Sequence, residues 1–318
     1  MPHHNDKMGG NIFFPTEDKS PQTLFGGGPT FKKIPVIEDA AINDGKYPLV
    51  IYSHDWDAGL GPQAWLTADI AERGAIALHI NHKHTLWGGN DVGKALNHWT
   101  RIQDLEVALD YVLKSKKFGS KIDLSRIMVV GFGEGGLTAL TAGGATANLG
   151  AVVDACKLHG SKMRYCDEMT STEVNLAGYD AKKWNASYKM DEVDMVAVIE
   201  PSLVYGLKPS NVENLVKDVT LFSFKDGDTV DYATDIDASG IAAVIPQSTR
   251  VNFNPAYRFS AALDCQDGVA EKLAEQGRYP ICTDPKGSNR NAIHKDIINT
   301  LAQKLGVDTD YSSTPSGL

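Results

Sequence analysis

One junction limits the fold more than any other feature. The apolar run Arg126-Ile127-Met128-Val129-Val130 ends in Gly131-Phe132-Gly133-Glu134-Gly135-Gly136, and Leu137-Thr138-Ala139-Leu140 follows with helical character. A short apolar run closed by glycines reads as a buried strand, and glycine lets the backbone turn sharply into a helix. The pattern around this junction alternates. Tyr47-Pro48-Leu49-Val50-Ile51-Tyr52 reads as a buried strand, Gln63 to Arg73 as a helix stopped by Gly74, and Ala75 to Ile80 as another strand. Leu96, Trp99, Ile102, Leu105, Leu109 and Val112 mark one stripe of a long amphipathic helix. Further strands are expected near residues 195–199, 219–224 and 250–253, with a closing helix over 290–305. Strands separated by helices imply parallel crossovers, so the expected class is α/β, a doubly wound and mostly parallel sheet with helices on both faces.

With 318 residues, 42% of them hydrophobic, the chain can bury a large core, and one α/β domain over residues 46–318 is expected. Residues 1–45 are polar and rich in Gly and Pro, broken by Ile12-Phe13-Phe14, and read as an N-terminal arm packed on that body. The stretch 153–194 is polar and aperiodic. It is expected to form an insertion over the strand ends, where open α/β sheets bind ligands. The net charge of −9 is spread along the chain, which argues against a nucleic-acid or anionic-membrane partner. No run of about 18 apolar residues occurs, so no transmembrane segment is expected, and MPHHNDKMGG lacks the apolar core of a signal peptide. Four cysteines form two sequence-local couples, Cys156 with Cys166 and Cys265 with Cys282. Three connectivities are open, beside four reduced, buried thiols.

Beyond the fold class, the chain resembles the α/β-hydrolase superfamily, and within it the dienelactone-hydrolase-like bacterial esterases that group with platelet-activating-factor acetylhydrolase. The family's "yPLVvlSHG" resembles Tyr47 through His54, and its "iDxxRIgvxGhSxGG" resembles Ile122 through Gly136. Its "HFxFLxxC" resembles Arg258-Phe259 through Cys265, and its late "iCxDxxGxxRxxxH" resembles Ile281 through Gly287 with Arg290 and His294. Phe13-Phe14-Pro15-Thr16 is similar to the family's early "WYPT". The resemblance implies an α/β-hydrolase fold over nearly the whole chain, with a nucleophile elbow at the glycine-rich turn. Cysteines mark the corresponding family segments, so Cys156 is expected to pair with Cys166 and Cys265 with Cys282. Both bridges would imply an oxidising compartment, secreted or periplasmic.

The same resemblance implies that the catalytic set is broken. The nucleophile position is Gly133 and the base position is Arg258. The surviving acid is expected at Asp228 in Lys225-Asp226-Gly227-Asp228, with Asp226 as the other register, and the glycine that lies beside the oxyanion is replaced by Asp55. Glycine has no atom to attack with, and a guanidinium is no base near neutral pH. Arg258 is expected to meet Asp228 as a salt bridge where a His–Asp pair would stand, or else to hold an anion in the cleft with the backbone after Gly133. Cleft positions by this reading are His54, Asp55, Trp56, Gly133, Glu134 and Arg258. A metal held by Asp55, Asp57, Glu134, His54, His82 and His84 is the weaker reading, because His54 and His82 match residues of the metal-free family. No cofactor and no metal is therefore expected, and His294 is read as structural. The expected function is a degenerate hydrolase, or pseudo-hydrolase, that acts as a binding or scaffold protein for a small molecule in the cleft or a protein partner. The alternative is an ester, amide or lactone hydrolase, or a lyase or cyclase, with a non-standard catalytic set.

Overall fold

The computed structural model describes residues 1–278 and 280–308. Among the described residues, nine strands run in chain order as β1 (Gly10–Phe13), β2 (Thr23–Phe25), β3 (Ile34–Val36), β4 (Tyr47–Ser53), β5 (Ile76–Ile80), β6 (Ile122–Phe132), β7 (Met195–Ile199), β8 (Asp218–Phe224) and β9 (Thr249–Phe253). Seven form one sheet in the order β1-β5-β4-β6-β7-β8-β9, and β2 and β3 form a separate hairpin. Every pair from β5 across to β9 is parallel, and only β1 runs antiparallel at its edge.

A parallel sheet covered on both sides buries alternate residues in opposite directions, and this gives the continuous apolar runs of the sequence. Leu49 and Ile51 of β4, and Ile127 and Val129 of β6, join one core with Leu105, Leu109 and Val112 of the Trp99–Lys114 helix and Leu137 and Leu140 of the Glu134–Ala142 helix. Val50 and Tyr52, and Met128 and Val130, join the opposite core with Leu66 and Ile70 of the Ala64–Glu72 helix and Ile297 and Leu301 of the Arg290–Leu305 helix. The doubly wound arrangement follows from this division. All six residues of the predicted Leu96–Val112 stripe are buried.

Two local features depart from the sequence reading. Residues 10–13 pair with β5 and add a strand to the main sheet, where only a broken polar stretch was legible; the open edge of β5 supplies the hydrogen bonds. The segment after the Glu134–Ala142 helix begins with a further helix, Leu149–His159, then runs through short helical turns with Trp184 and Cys166 in the core. Disulfides join Cys156 to Cys166 and Cys265 to Cys282. The second bridge lies where the chain touches the arm, since the Lys32 N–H donates to the Asp264 carbonyl and the Gln266 N–H to the Thr30 carbonyl. Among the described residues, no helix is long and apolar enough to cross a membrane.

Candidate functional site

Gly133 links β6 to the Glu134–Ala142 helix with φ 57° and ψ −119°. Glycine adopts this conformation without a steric penalty, whereas a residue with a Cβ is strained there. The turn is pinned by the Gly133 N–H donating to the Ile199 carbonyl (3.0 Å) and the Ser202 N–H donating to the Gly133 carbonyl (2.9 Å). Gly135 is required by close packing, since a Cβ there would overlap the Ser53 carbonyl at the end of β4. The chain thus turns from strand to helix at a residue without a side chain.

Asp55 fills the space where that side chain would stand. A Cβ on Gly133 would overlap the Asp55 carboxylate. Asp55 is 4% exposed, and its Oδ1 accepts a hydrogen bond from the Glu134 N–H (2.8 Å) at the start of the helix. Free N–H groups at a helix N-terminus attract anions, and here the protein supplies its own. Asp55 Oδ2 pairs with the guanidinium of Arg258, which is 7% exposed and lies against Phe132 and Phe259. The expected Arg258–Asp228 bridge is therefore corrected to Arg258–Asp55. The reason is solvation: Asp228 lies exposed on the loop after β8, as does Asp226, while the buried Asp55 carboxylate requires a counter-charge. Trp56 closes the mouth, stacked on Tyr165 at 5.0 Å with its indole N–H donating to Asn90. The space left between Asp55, Trp56, Met169, Ser202 and Arg258 is about 10 Å³, room for one water at most.

Beneath this plug lies a buried polar chain. Arg101 donates to Glu134 Oε2 (3.0 Å), Thr138 Oγ1 (3.0 Å), Thr85 Oγ1 (3.2 Å), Ser53 Oγ (3.2 Å) and the His54 carbonyl. Because Arg101 donates to Ser53, the Ser53 hydroxyl proton is left for His82 Nε2 (2.9 Å), and His82 Nδ1 then donates to Asp104 Oδ2 (2.9 Å). Ser53, His82 and Asp104 thus have the connectivity of a Ser–His–Asp triad, yet each is 0% exposed. Burial holds His82 well below the ordinary histidine range and pushes Asp104 up to about 8, with Arg101 opposing the second shift. His54 accepts the His82 N–H at Nε2 (3.1 Å) and donates from Nδ1 to the Asp55 carbonyl (2.7 Å), so it is a neutral, fully engaged histidine; burial, then Arg101, lowers its pKa. Burial raises Glu134, with Arg101 opposing, and Glu134 Oε1 is buried without a hydrogen bond. His294 stacks on Trp65 and contacts the Ser260 carbonyl (2.9 Å), a structural environment.

The sequence reading missed Arg101, Asp104 and Glu200. The first two lie one turn apart on the flank of the apolar helix stripe, and a charge at that spacing was the available signal. Glu200 directly follows β7 at the strand ends. It is 2% exposed and accepts from the Phe224 N–H (2.8 Å) and the Thr234 hydroxyl (2.6 Å), while burial raises its pKa to about 8. The native state therefore keeps a proton that the unfolded chain releases near the ordinary value of 4.5. Between those values the native state binds more protons, so stability falls as pH rises through the window. Glu200→Gln is expected to flatten urea-derived stability between about pH 5 and 8 and to raise it at pH 8 by up to about 4 kcal/mol. An unchanged pH profile would show that Glu200 is ionised throughout.

No protein-family model matches the chain, and no curated protein does. Among solved structures, a ferulic acid esterase from Streptomyces cinnamoneus is similar over 87% of this chain and 74% of that chain, at 14% sequence identity and a TM-score of 0.49. The fold assignment rests on the strand order, the parallel pairing and the strand–Gly133–helix junction. This is the α/β-hydrolase fold. The Asp55–Arg258 pair covers its strand–Gly133–helix turn.

Proposed function

We infer that this chain is a non-catalytic hydrolase homologue of the dienelactone-hydrolase-like and platelet-activating-factor-acetylhydrolase-like kind, a binding or scaffold protein built on a hydrolase body. The observation that carries this reading is the overlap between Asp55 and the place of a side chain at residue 133. The site has exchanged a nucleophile for a fixed carboxylate, and the guanidinium at the base position neutralises that carboxylate instead of accepting a proton. A developing oxyanion would meet Asp55 where donors are needed. The cleft leaves no room for an organic ligand, so binding is assigned to another surface. An open depression of about 900 Å³ between arm and body, lined by Phe14, Phe25, Ile37 and Lys117 among others, offers that room. The two disulfides support a secreted or periplasmic protein.

A second reading, an esterase with a relocated nucleophile, is favoured by the Ser53–His82–Asp104 chain. Against it stand the complete burial of all three groups and the Arg101 hydrogen bond that occupies Ser53. Labelling with a fluorophosphonate probe, followed by peptide mapping, separates the two readings. The non-catalytic reading expects no labelled serine. Stoichiometric label on Ser53 would replace it with the second.

A further inference from the structure

The N-terminal segment brings a second set of chemistry to the far end of the buried polar chain. His3 Nε2 lies 2.7 Å from Asp104 Oδ1, and His4 Nε2 lies 3.4 Å from the same oxygen. The three ligand atoms are within 4.8 Å of one another. The side chains of His3, His4 and Asp104 are 15%, 4% and 0% exposed. Although His4 is enclosed, its Nε2 makes no hydrogen bond, and burying a polar nitrogen without a partner is costly. It points at a carboxylate whose other oxygen is held by His82 Nδ1 at 2.9 Å.

We propose that His3, His4 and Asp104 bind a divalent transition metal of the zinc class, fastening the N-terminal segment to the Trp99–Lys114 helix. Two ligand atoms on one tetrahedral zinc with bonds of about 2.0 Å lie about 3.3 Å apart, which the His4–Asp104 separation already matches. The His3–Asp104 separation needs to open by roughly 0.6 Å to reach that value, a small adjustment for a side chain in a short turn. Two imidazoles and one carboxylate suit zinc and its neighbours, whereas magnesium and calcium favour oxygen alone. Water completes the tetrahedron. The contact from His82 to the second Asp104 oxygen fixes the carboxylate, as outer partners of metal ligands commonly do.

The test uses the full chain without a polyhistidine tag, stripped with a chelator and titrated with Zn²⁺ against a chromophoric competitor. One equivalent should bind, and Co²⁺ in its place should give the intense visible band of a tetrahedral site. His3→Ala and His4→Ala should each weaken Zn²⁺ by at least about tenfold. His159→Ala, a histidine on another face, should leave the affinity unchanged. Asp104→Asn could disturb the body through His82, so the decision rests on the two N-terminal variants. Absence of stoichiometric binding, or an affinity unchanged in the His3→Ala/His4→Ala double variant, overturns the proposal and leaves a His3–Asp104 hydrogen bond alone. Neither result depends on whether the elbow is catalytic.

Discussion

Arg258→Ala and Asp55→Ala should each lower the unfolding free energy by about 3–5 kcal/mol, because either change strands the partner's charge in a site that is less than a tenth exposed. The double variant should be far less destabilised than the sum of the singles, since the stranded charge disappears with its partner. A surface ion pair would behave differently: its coupling is typically below about 1 kcal/mol. Burial decides which regime applies, and Asp55 is further held by the Glu134 N–H. Asp228→Ala supplies the control. As an exposed loop carboxylate it should shift stability by no more than about 0.5 kcal/mol. Urea unfolding of the unmodified chain and these four variants measures all of this, and strict additivity between Asp55 and Arg258 would reject the pair as a stabilising unit.

Gly133→Ser should also be strongly damaging, and it should create no activity. The serine Cβ meets the Asp55 carboxylate, and the residue must also adopt a left-handed φ that costs about 1–3 kcal/mol by itself. Together these effects should cost at least about 3 kcal/mol. The clash has a specific remedy. Adding Asp55→Gly and Arg258→His clears the space and removes the cation that Asp55 neutralises, so the triple variant should be more stable than Gly133→Ser alone. If the triple variant were the less stable of the two, Asp55 would not be what excludes a side chain at residue 133.

The sheet was legible because parallel strands buried on both faces produce uninterrupted apolar runs. The strands read at 195–199 and 219–224 match β7 and β8 to within a residue, and the closing helix matches Arg290–Leu305. By contrast, β1 escaped notice because its Gly-Asn start carries no period and its pairing depends on an edge about 65 residues later. The site was half legible. Resemblance marked Gly133, Asp55 and Arg258 as substituted positions, but partner choice depends on solvation, which sequence does not show: the exposed Asp228 needs no cation, whereas the buried Asp55 does. The buried polar chain was missed for a related reason. Arg101 and Asp104 lie off the apolar stripe of their helix, and they are buried only because the N-terminal segment and the ends of β4 and β5 close over them.

With the Asp55–Arg258 plug in place of a nucleophile, as proposed, the protein should hydrolyse no ester. Steady-state hydrolysis of a short p-nitrophenyl acyl ester by the purified protein tests it most directly, with the Ser53→Ala variant measured alongside. The predicted rate equals the buffer rate for both proteins, without saturation. Saturable turnover by the unmodified chain that disappears in Ser53→Ala would contradict the claim and make the buried Ser53–His82–Asp104 chain the active site.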